Sequence, residues 1–515
     1  MKEKMKKFKL SPIMTFIILI FGTLLLSWIL SLFNVQAEYS TVNTSTKELT
    51  NNVVQVENLL SLSGLKYIVT SAVSNFVNFT PLSMLIITLI GIGVMEWTGF
   101  TKTFFTIITQ TFKKNTITFW LIFLSILSSI LGDYVFVILL PIGALLFKYG
   151  HRNPLGGIIA TFAGVSFGYG VNVFMSSIDS SLMSITLNAA TILDAKYLIN
   201  NFYGIFIMLA ALIIMSIVMT RITEKMIMPK LGKYEFDEIE TLDKVNLSNR
   251  ELRGLIVGIA AGLIYILVIA YMIIPGLPLS GGLLDNGGEF YIDKLFGPNS
   301  LFNQGFIFII TMFFIVIGFF YGVFSKSIKN NKDVTDSLAF SLDGIGSILV
   351  LIFVASVFIG VFKKTNIGLV LTAGLSNLIG TSNFTGIGLI LLLFGIAILS
   401  NLFLTSSPLK WAILSGITVP VFMNASLSPE FAQIIFSAGS SVTMGLTPLM
   451  AYFVIYIAFL EKYNKSETIT LFGSLRYLAP YSVAVCIIWF ILLIGWYITG
   501  IPLGIETLTG VMYVA

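Results

Sequence analysis

Two carboxylates stand where a charge is costly. Asp133 follows Gly132 in the middle of the apolar stretch from Thr116 to Lys148. Asp179 lies among Ser176, Ser177, Ser180 and Ser181, just past a glycine-rich interruption running from Gly164 to Asn172. A charge at membrane depth costs on the order of several kcal/mol, so such residues usually serve an ion or substrate path. The competing role is a carboxylate that caps the N-terminus of a half-helix. Further along come Asn401, Thr405, Ser406, Ser407, Lys410 and Trp411, then Ser437, Ser440, Ser441, Thr443 and Thr447. Neutral oxygens of this kind suit sodium coordination or hydrogen bonds to a polar solute, although serine and threonine also let helices pack closely in lipid. Trp411 fits either a stacking platform for an aromatic solute or a packing role.

The elements that must hold these groups are membrane helices. The chain is 56% hydrophobic and 11% charged, against roughly 25% charged residues in a soluble domain. Its formal charge of +5 resides in short basic runs between apolar segments, which sets orientation and argues against nucleic-acid binding. The single cysteine, Cys486, and the single histidine, His151, cannot form a disulfide or a cysteine/histidine metal cluster within the chain. No cofactor is expected, apart from Na+ as a coupling ion. A nucleophile paired with its base is also missing, so an enzyme is not expected.

The run from Pro12 to Phe33 follows Lys2, Lys4, Lys6, Lys7 and Lys9, which places the N-terminus in the cytoplasm of a multi-pass inner-membrane protein. It is longer than a signal-peptide core, so it is read as a span despite the cleavage-like Val35-Gln36-Ala37. Polar residues 34 to 62 fall outside, and a weaker apolar helix and the run from Pro81 to Glu96 return the chain to Lys102, Lys113 and Lys114. Lys148, His151 and Arg152 again read as cytoplasmic, so residues 116–149 form a hairpin that enters and leaves on one side. A broken helix over 154–187 goes out and 201–220 returns to a basic loop holding Arg221, Lys225, Lys230, Lys233, Arg250 and Arg253. Residues 255–274 lead to the acidic loop of Asp285, Glu289 and Asp293; 306–324 return to Lys326, Lys329 and Lys332, and 344–362 go out. A second hairpin, 384–424, opens from outside, a second broken helix, 429–460, comes in to Lys462 and Lys465, and 477–497 leaves. Lys363 and Lys364 end up outside, against the positive-inside bias.

The fold class is therefore all-α polytopic, with nine transmembrane helices plus two re-entrant hairpins. A repeat supports two halves, 1–245 and 246–515. An offset of 275 residues superposes Pro154 on Pro429, Ala163 on Ala438, Gly164 on Gly439, Ser166 on Ser441 and Gly170 on Gly445. Because one copy starts inside and the other outside, the repeats are inverted, the arrangement that lets two packings of one unit exchange the open side. Broken helices at Gly164 to Asn172 and Gly439 to Pro448 free backbone groups for ions, and the site belongs where those breaks meet the hairpin tips. These features imply a secondary transporter; an ion channel, which also uses hairpins and half-helices, is the competing reading.

Four stretches resemble the p-aminobenzoyl-glutamate transporter (AbgT) family: GDYVFVILLPIGALLFKYGHRNPLGGIIATFAGVSFGYGVNVFMSSID, SSPLKWAILSGITVPVFM, SPEFAQIIFSAGSS and LAPYSVAVCIIWFILLIGWYITGIPLG. The resemblance implies a homodimer in lipid with a water-filled basin, nine spans and two hairpins per subunit. It also implies transport of p-aminobenzoyl-glutamate or sulfonamide-like aromatic antimetabolites, including export, coupled to the proton motive force. Its functional positions fall on Asp133, Asp179, Asn401, Trp411 and Pro429. Departures are Ser437 and Ser440, where the family carries an arginine and an aspartate, and Pro408, where it carries a small polar residue. Losing the arginine removes a bidentate partner for a substrate carboxylate. The substrate-binding residues are thus expected to be Asn172, Asp179, Asn401, Ser407, Trp411, Pro429, Ser437, Ser440 and Ser441, and the ion-coupling residues Asp133, Asp179, Asn172, Thr405 and Ser406. The alternative cargo is a carboxylate carried with sodium.

Overall fold

A computed structural model describes residues 10–42, 48–199, 202–236, 247–285, 287, 291–297, 299–465 and 469–504. The basic residues Lys2 to Lys9, Glu289 and the boundary between the halves at 245/246 lie outside them.

The chain begins with α1 (Pro12–Leu32), the antiparallel strands β1 (Gln36–Val42) and β2 (Leu49–Gln55), α2 (Leu62–Val77), α3 (Thr80–Thr98) and α4 (Phe100–Thr111). Next come α5 (Lys114–Leu127), α6 (Tyr134–Tyr149), α7 (Pro154–Phe167), α8 (Ser177–Ala190), α9 (Ile205–Ile222) and the short α10 (Met228–Leu231). The second half has α11 (Asn249–Ile273), α12 (Tyr291–Phe296), α13 (Leu301–Ser325), α14 (Asn331–Ala339), α15 (Gly346–Lys364) and α16 (Ile367–Thr381). It closes with α17 (Gly386–Asn401), α18 (Ser407–Asn424), α19 (Pro429–Met444), α20 (Ala451–Tyr463) and α21 (Leu471–Thr499).

Among the described residues, eight helical segments are long and apolar enough to cross a bilayer. The expected nine spans included two interrupted helices. Their halves, α7 with α8 and α19 with α20, have 13 to 16 residues each, too short singly for the roughly 20 residues a span needs. The Lys114–Leu131 segment does reach span length, although the sequence assigns it to a hairpin.

Corresponding elements recur at nearly constant spacing. Helices α7 and α19 both begin with proline, at Pro154 and Pro429, behind capping residues Asn153 and Ser428 that accept from Leu155 N and Phe431 N. Proline in the first turn costs no hydrogen bond and is preset for a helix, so the same signal starts both copies. The helices end later than their first glycines imply: α7 stays helical through Gly164 to Phe167, and α19 through Gly439 to Met444. Those glycines serve packing. A Cβ on Gly164 would lie 2.6 Å from Ser125 Cβ of α5, and one on Gly439 2.6 Å from Ala397 Cβ of α17.

The all-α expectation has one exception. Residues 34–62, read as an external polar segment, contain the β1–β2 hairpin, paired from Gln36 with Gln55 to Val42 with Leu49. It lies over α16 and α18, where Asn377 Nδ2 donates to Glu38 O at 3.0 Å. Its alternation is mostly polar, so it carries no strong strand signal.

Charged loops gather in two groups. Lys148 approaches Glu96 at 3.9 Å, Arg152 pairs with Glu224 at 2.5 Å, and Lys465 lies 5.4 Å from the Tyr234 ring. All these residues belong to regions read as cytoplasmic. In regions read as external, Lys364 pairs with Glu57 at 2.7 Å, and the external Asp293 accepts from Ser180 of the first broken helix at 2.7 Å. The pairing gives Lys364 a partner on the side where its charge was unexpected.

Candidate functional site

The two ends of the first hairpin meet. Arg152, just past α6, donates from Nη1 to Thr118 Oγ1 at 2.9 Å, and Thr118, near the start of α5, donates to Glu224 at 2.5 Å. Arg152 is nearly buried and its guanidinium covers the Phe147 ring at 4.0 Å. Between these ends the chain turns through a 3-10 segment, Ser128–Leu131, and Gly132 (φ 58°) before α6 starts. Asp133 stands at that turn. It makes no capping hydrogen bond, and it is exposed to a cavity.

That cavity, about 570 Å³, draws its wall from both halves of the sequence. Asp133 and Tyr169 come from the first hairpin tip and first break; Thr405, Ser406, Ser407 and Pro408 come from the tip between α17 and α18. Met444 and Tyr452 flank the second break, and Lys363 adds an exposed cation at the C-terminus of α15. The volume falls within the roughly 300–1,000 Å³ of small-molecule sites. Ser407 Oγ is buried beside the Tyr169 hydroxyl. Ser406 is exposed and Thr405 half-buried, so both present oxygens to the cavity.

A second cavity of about 330 Å³ is lined by Asn172, Asp179, Tyr203 and Ser437. Here Asp179 is fully engaged. Its Oδ2 accepts from Ser176 N at 2.9 Å and Ser176 Oγ at 2.6 Å, and its Oδ1 accepts from Asn172 Nδ2 at 2.5 Å. Ser176 Oγ in turn accepts from Asp179 N, a reciprocal capping box that starts α8. The two acids therefore take different roles, Asp179 tied to a helix start and Asp133 left facing the larger cavity.

The breaks cross between the cavities. A Cβ on Gly170 would come within 2.7 Å of Ser437 O, and one on Gly445 within 3.2 Å of Ser166 Cβ. Each break thus rests on the helix preceding the other. Ser441 accepts from Trp489 Nε1 at 3.1 Å and donates to Ala438 O, whereas the buried hydroxyls of Ser166 and Ser440 have no partner among the described residues.

Trp411 does not offer a stacking face. It is completely buried, packs on Phe436 with ring centroids 4.7 Å apart, and donates from Nε1 to Thr186 Oγ1 at 2.8 Å. Thr186 passes a bond to Gln433 Oε1 at 2.6 Å, and Gln433 Nε2 donates to Tyr203 OH at 2.6 Å. The indole therefore locks α18 to α8 and α19. Pro429 is the first residue of α19 and lines neither cavity. Asn401 is buried and accepts from Lys410 Nζ at 2.6 Å. Lys410, wholly buried on α18, lines neither cavity and is a charge that the sequence displays but does not rank. Its signal is an isolated cation inside an apolar helix.

A model of the family described as "AbgT putative transporter family" matches residues 3–511. The p-aminobenzoyl-glutamate transport protein of Escherichia coli (strain K12) is 28% identical over 496 residues, 96% of this chain and 93% of that protein. Among solved structures, the Alcanivorax borkumensis YdaH transporter, reported to have an unusual topology, is 26% identical with a TM-score of 0.48, covering 96% of this chain and 100% of that one. Neisseria gonorrhoeae MtrF, described as illuminating a class of antimetabolite efflux pumps, is 28% identical with a TM-score of 0.48, covering 95% of this chain and 96% of that one.

Proposed function

Since this chain belongs to the AbgT family of transporters, we propose that it is a secondary active transporter of p-aminobenzoyl-glutamate or a closely related aromatic amide bearing carboxylates, driven by an ion gradient. The observation that carries this reading is the cavity of about 570 Å³ walled jointly by both hairpin tips and both broken helices. An inverted pair of such units can open one cavity to either side in turn. In this reading the hairpins are re-entrant, the protein lies in the inner membrane as a homodimer with its N-terminus in the cytoplasm, and it moves its solute without altering it.

The cavity chemistry suits the cargo. Tyr169 and Tyr452 offer aromatic walls, and Asp133 and Thr405 offer acceptors for an arylamine. Lys363 supplies a cation for a glutamyl carboxylate. The test is uptake of labelled p-aminobenzoyl-glutamate into proteoliposomes, competed by p-aminobenzoate, a sulfonamide and succinate. Saturable uptake blocked by the aromatic amide supports the reading. Inhibition by succinate alone would replace the cargo with a dicarboxylate.

A further inference from the structure

Lys410 is a buried cation with no ion pair to an acid among the described residues. Its side chain is completely buried, its Nζ donates to the neutral Asn401 Oδ1 at 2.6 Å, and the Phe436 ring lies 5.2 Å away. The elements packed on α18 bring it no counter-ion. Helices α16 and α17 contain no ionisable residue. The one acid of α8 is Asp179, already held by Ser176 and Asn172. The one acid of α19 is Glu430 in its first turn, which accepts from Tyr197 OH at 2.7 Å. Strand β1 offers Glu38, which is exposed, and Tyr39. A neutral acceptor and an aromatic face recover only part of the cost of burying an ammonium, so a permanent charge here is unfavourable.

The lysine is nonetheless one layer from the main cavity. Ser407, one helical turn earlier on α18, lines that cavity with a buried hydroxyl beside Tyr169. On the other side, Asn401 Nδ2 donates to Thr443 Oγ1 at 3.3 Å and contacts Met444 Sδ at 3.8 Å, and Met444 is part of the cavity wall. Thr443 and Thr447 donate to Ile398 O and Leu402 O, which ties the second break to the second hairpin tip. A change of charge at Nζ is therefore felt, through Asn401, at the contact between the second break and the second hairpin tip.

We propose that Lys410 Nζ is the group that carries the coupling proton, loaded from cavity water on the Ser407 side of α18 and unloaded when the Asn401–Thr443 contact shifts. The lone pair of the amine accepts the proton from hydronium in the cavity water, leaving water behind, and later returns it to water, so nothing is oxidised or reduced. The inference rests on the reading of the chain as a gradient-driven transporter and adds the residue that couples it.

The experiment compares wild type with Lys410→Met and with Lys410→Gln, which keeps a donor for Asn401. In proteoliposomes, one proton per cargo makes wild-type accumulation change about tenfold per unit of imposed pH gradient. Both variants are expected to lose that dependence, changing less than about twofold. A variant that follows the pH gradient as wild type does, or a wild type driven only by sodium, overturns the proposal. Wild-type vesicles that exchange no p-aminobenzoyl-glutamate would instead overturn the cargo. The lysine is then judged on melting midpoints of the detergent-solubilised proteins between about pH 5 and 9. A difference between wild type and Lys410→Met that varies with pH supports the proposal, and a constant difference overturns it.

Discussion

Asp133 and Asp179 look alike in the sequence, each an acid beside a glycine- or serine-rich interruption. The structure separates them by counting what their oxygens already do. Three hydrogen bonds from Ser176 and Asn172 occupy Asp179, so Asp179→Ala removes the carboxylate half of the capping box, leaves the Ser176 cap bond to the backbone, and strands buried donors. The stranded donors cost about 1–3 kcal/mol, read as a lowered melting midpoint. Asp133 lacks a cap bond and faces the cavity, so Asp133→Asn is expected to leave melting within about 0.5 kcal/mol of wild type. The same substitution should lower uptake at least tenfold, about 1.4 kcal/mol of lost binding or barrier stabilisation. Lys363→Ala, which removes an exposed cavity cation, should raise the KM for p-aminobenzoyl-glutamate more than that for p-aminobenzoate, which lacks the glutamyl carboxylates. Which acid was free could not be read from the sequence, because capping depends on whether Ser176 turns back on Asp179. Trp411 shows the same limit: its type announced an aromatic role, but only packing against Phe436 and Thr186 decides that the role is a lock.

At the scale of elements, the first hairpin is held at its base and open at its tip. Arg152 joins Thr118 and Glu224 in a largely buried cluster, so Arg152→Ala is expected to cost about 3–5 kcal/mol by leaving Glu224 uncompensated. Breaking the exposed Lys364–Glu57 pair should cost about 0–1 kcal/mol in the same melting assay. The crossing of the breaks makes a different demand. Gly170→Leu forces a side chain against Ser437 O, 2.7 Å from the glycine's missing Cβ, so it should abolish uptake even where folded protein is recovered. Proline, glycine and serine at a 275-residue spacing made these elements visible in advance. What the spacing did not reveal is the residue at which each helix stops. Gly164 and Gly439 look like breaks but are contact points, and the helices continue until Gly168 and Gly445.

For the whole molecule, the apolar runs and basic loops were legible because lipid imposes long helices and charge sets their direction. Contacts such as Arg152–Glu224 and Lys465–Tyr234 join loops assigned to one side on charge alone. The β1–β2 hairpin was not legible, since mostly polar alternation over α16 and α18 resembles an ordinary external loop. Cargo was the least legible property, because the cation of the cavity, Lys363, comes from a helix outside the repeat's hairpins and breaks. The account's central claim is that one cavity, shared by both halves, opens alternately to the two sides. Counterflow tests it most directly: proteoliposomes preloaded with unlabelled p-aminobenzoyl-glutamate are diluted into a trace of labelled compound with no ion gradient. The account predicts a transient overshoot of internal label that Asp133→Asn removes. Label that only equilibrates, without overshoot and without saturation, would show a pore and contradict it.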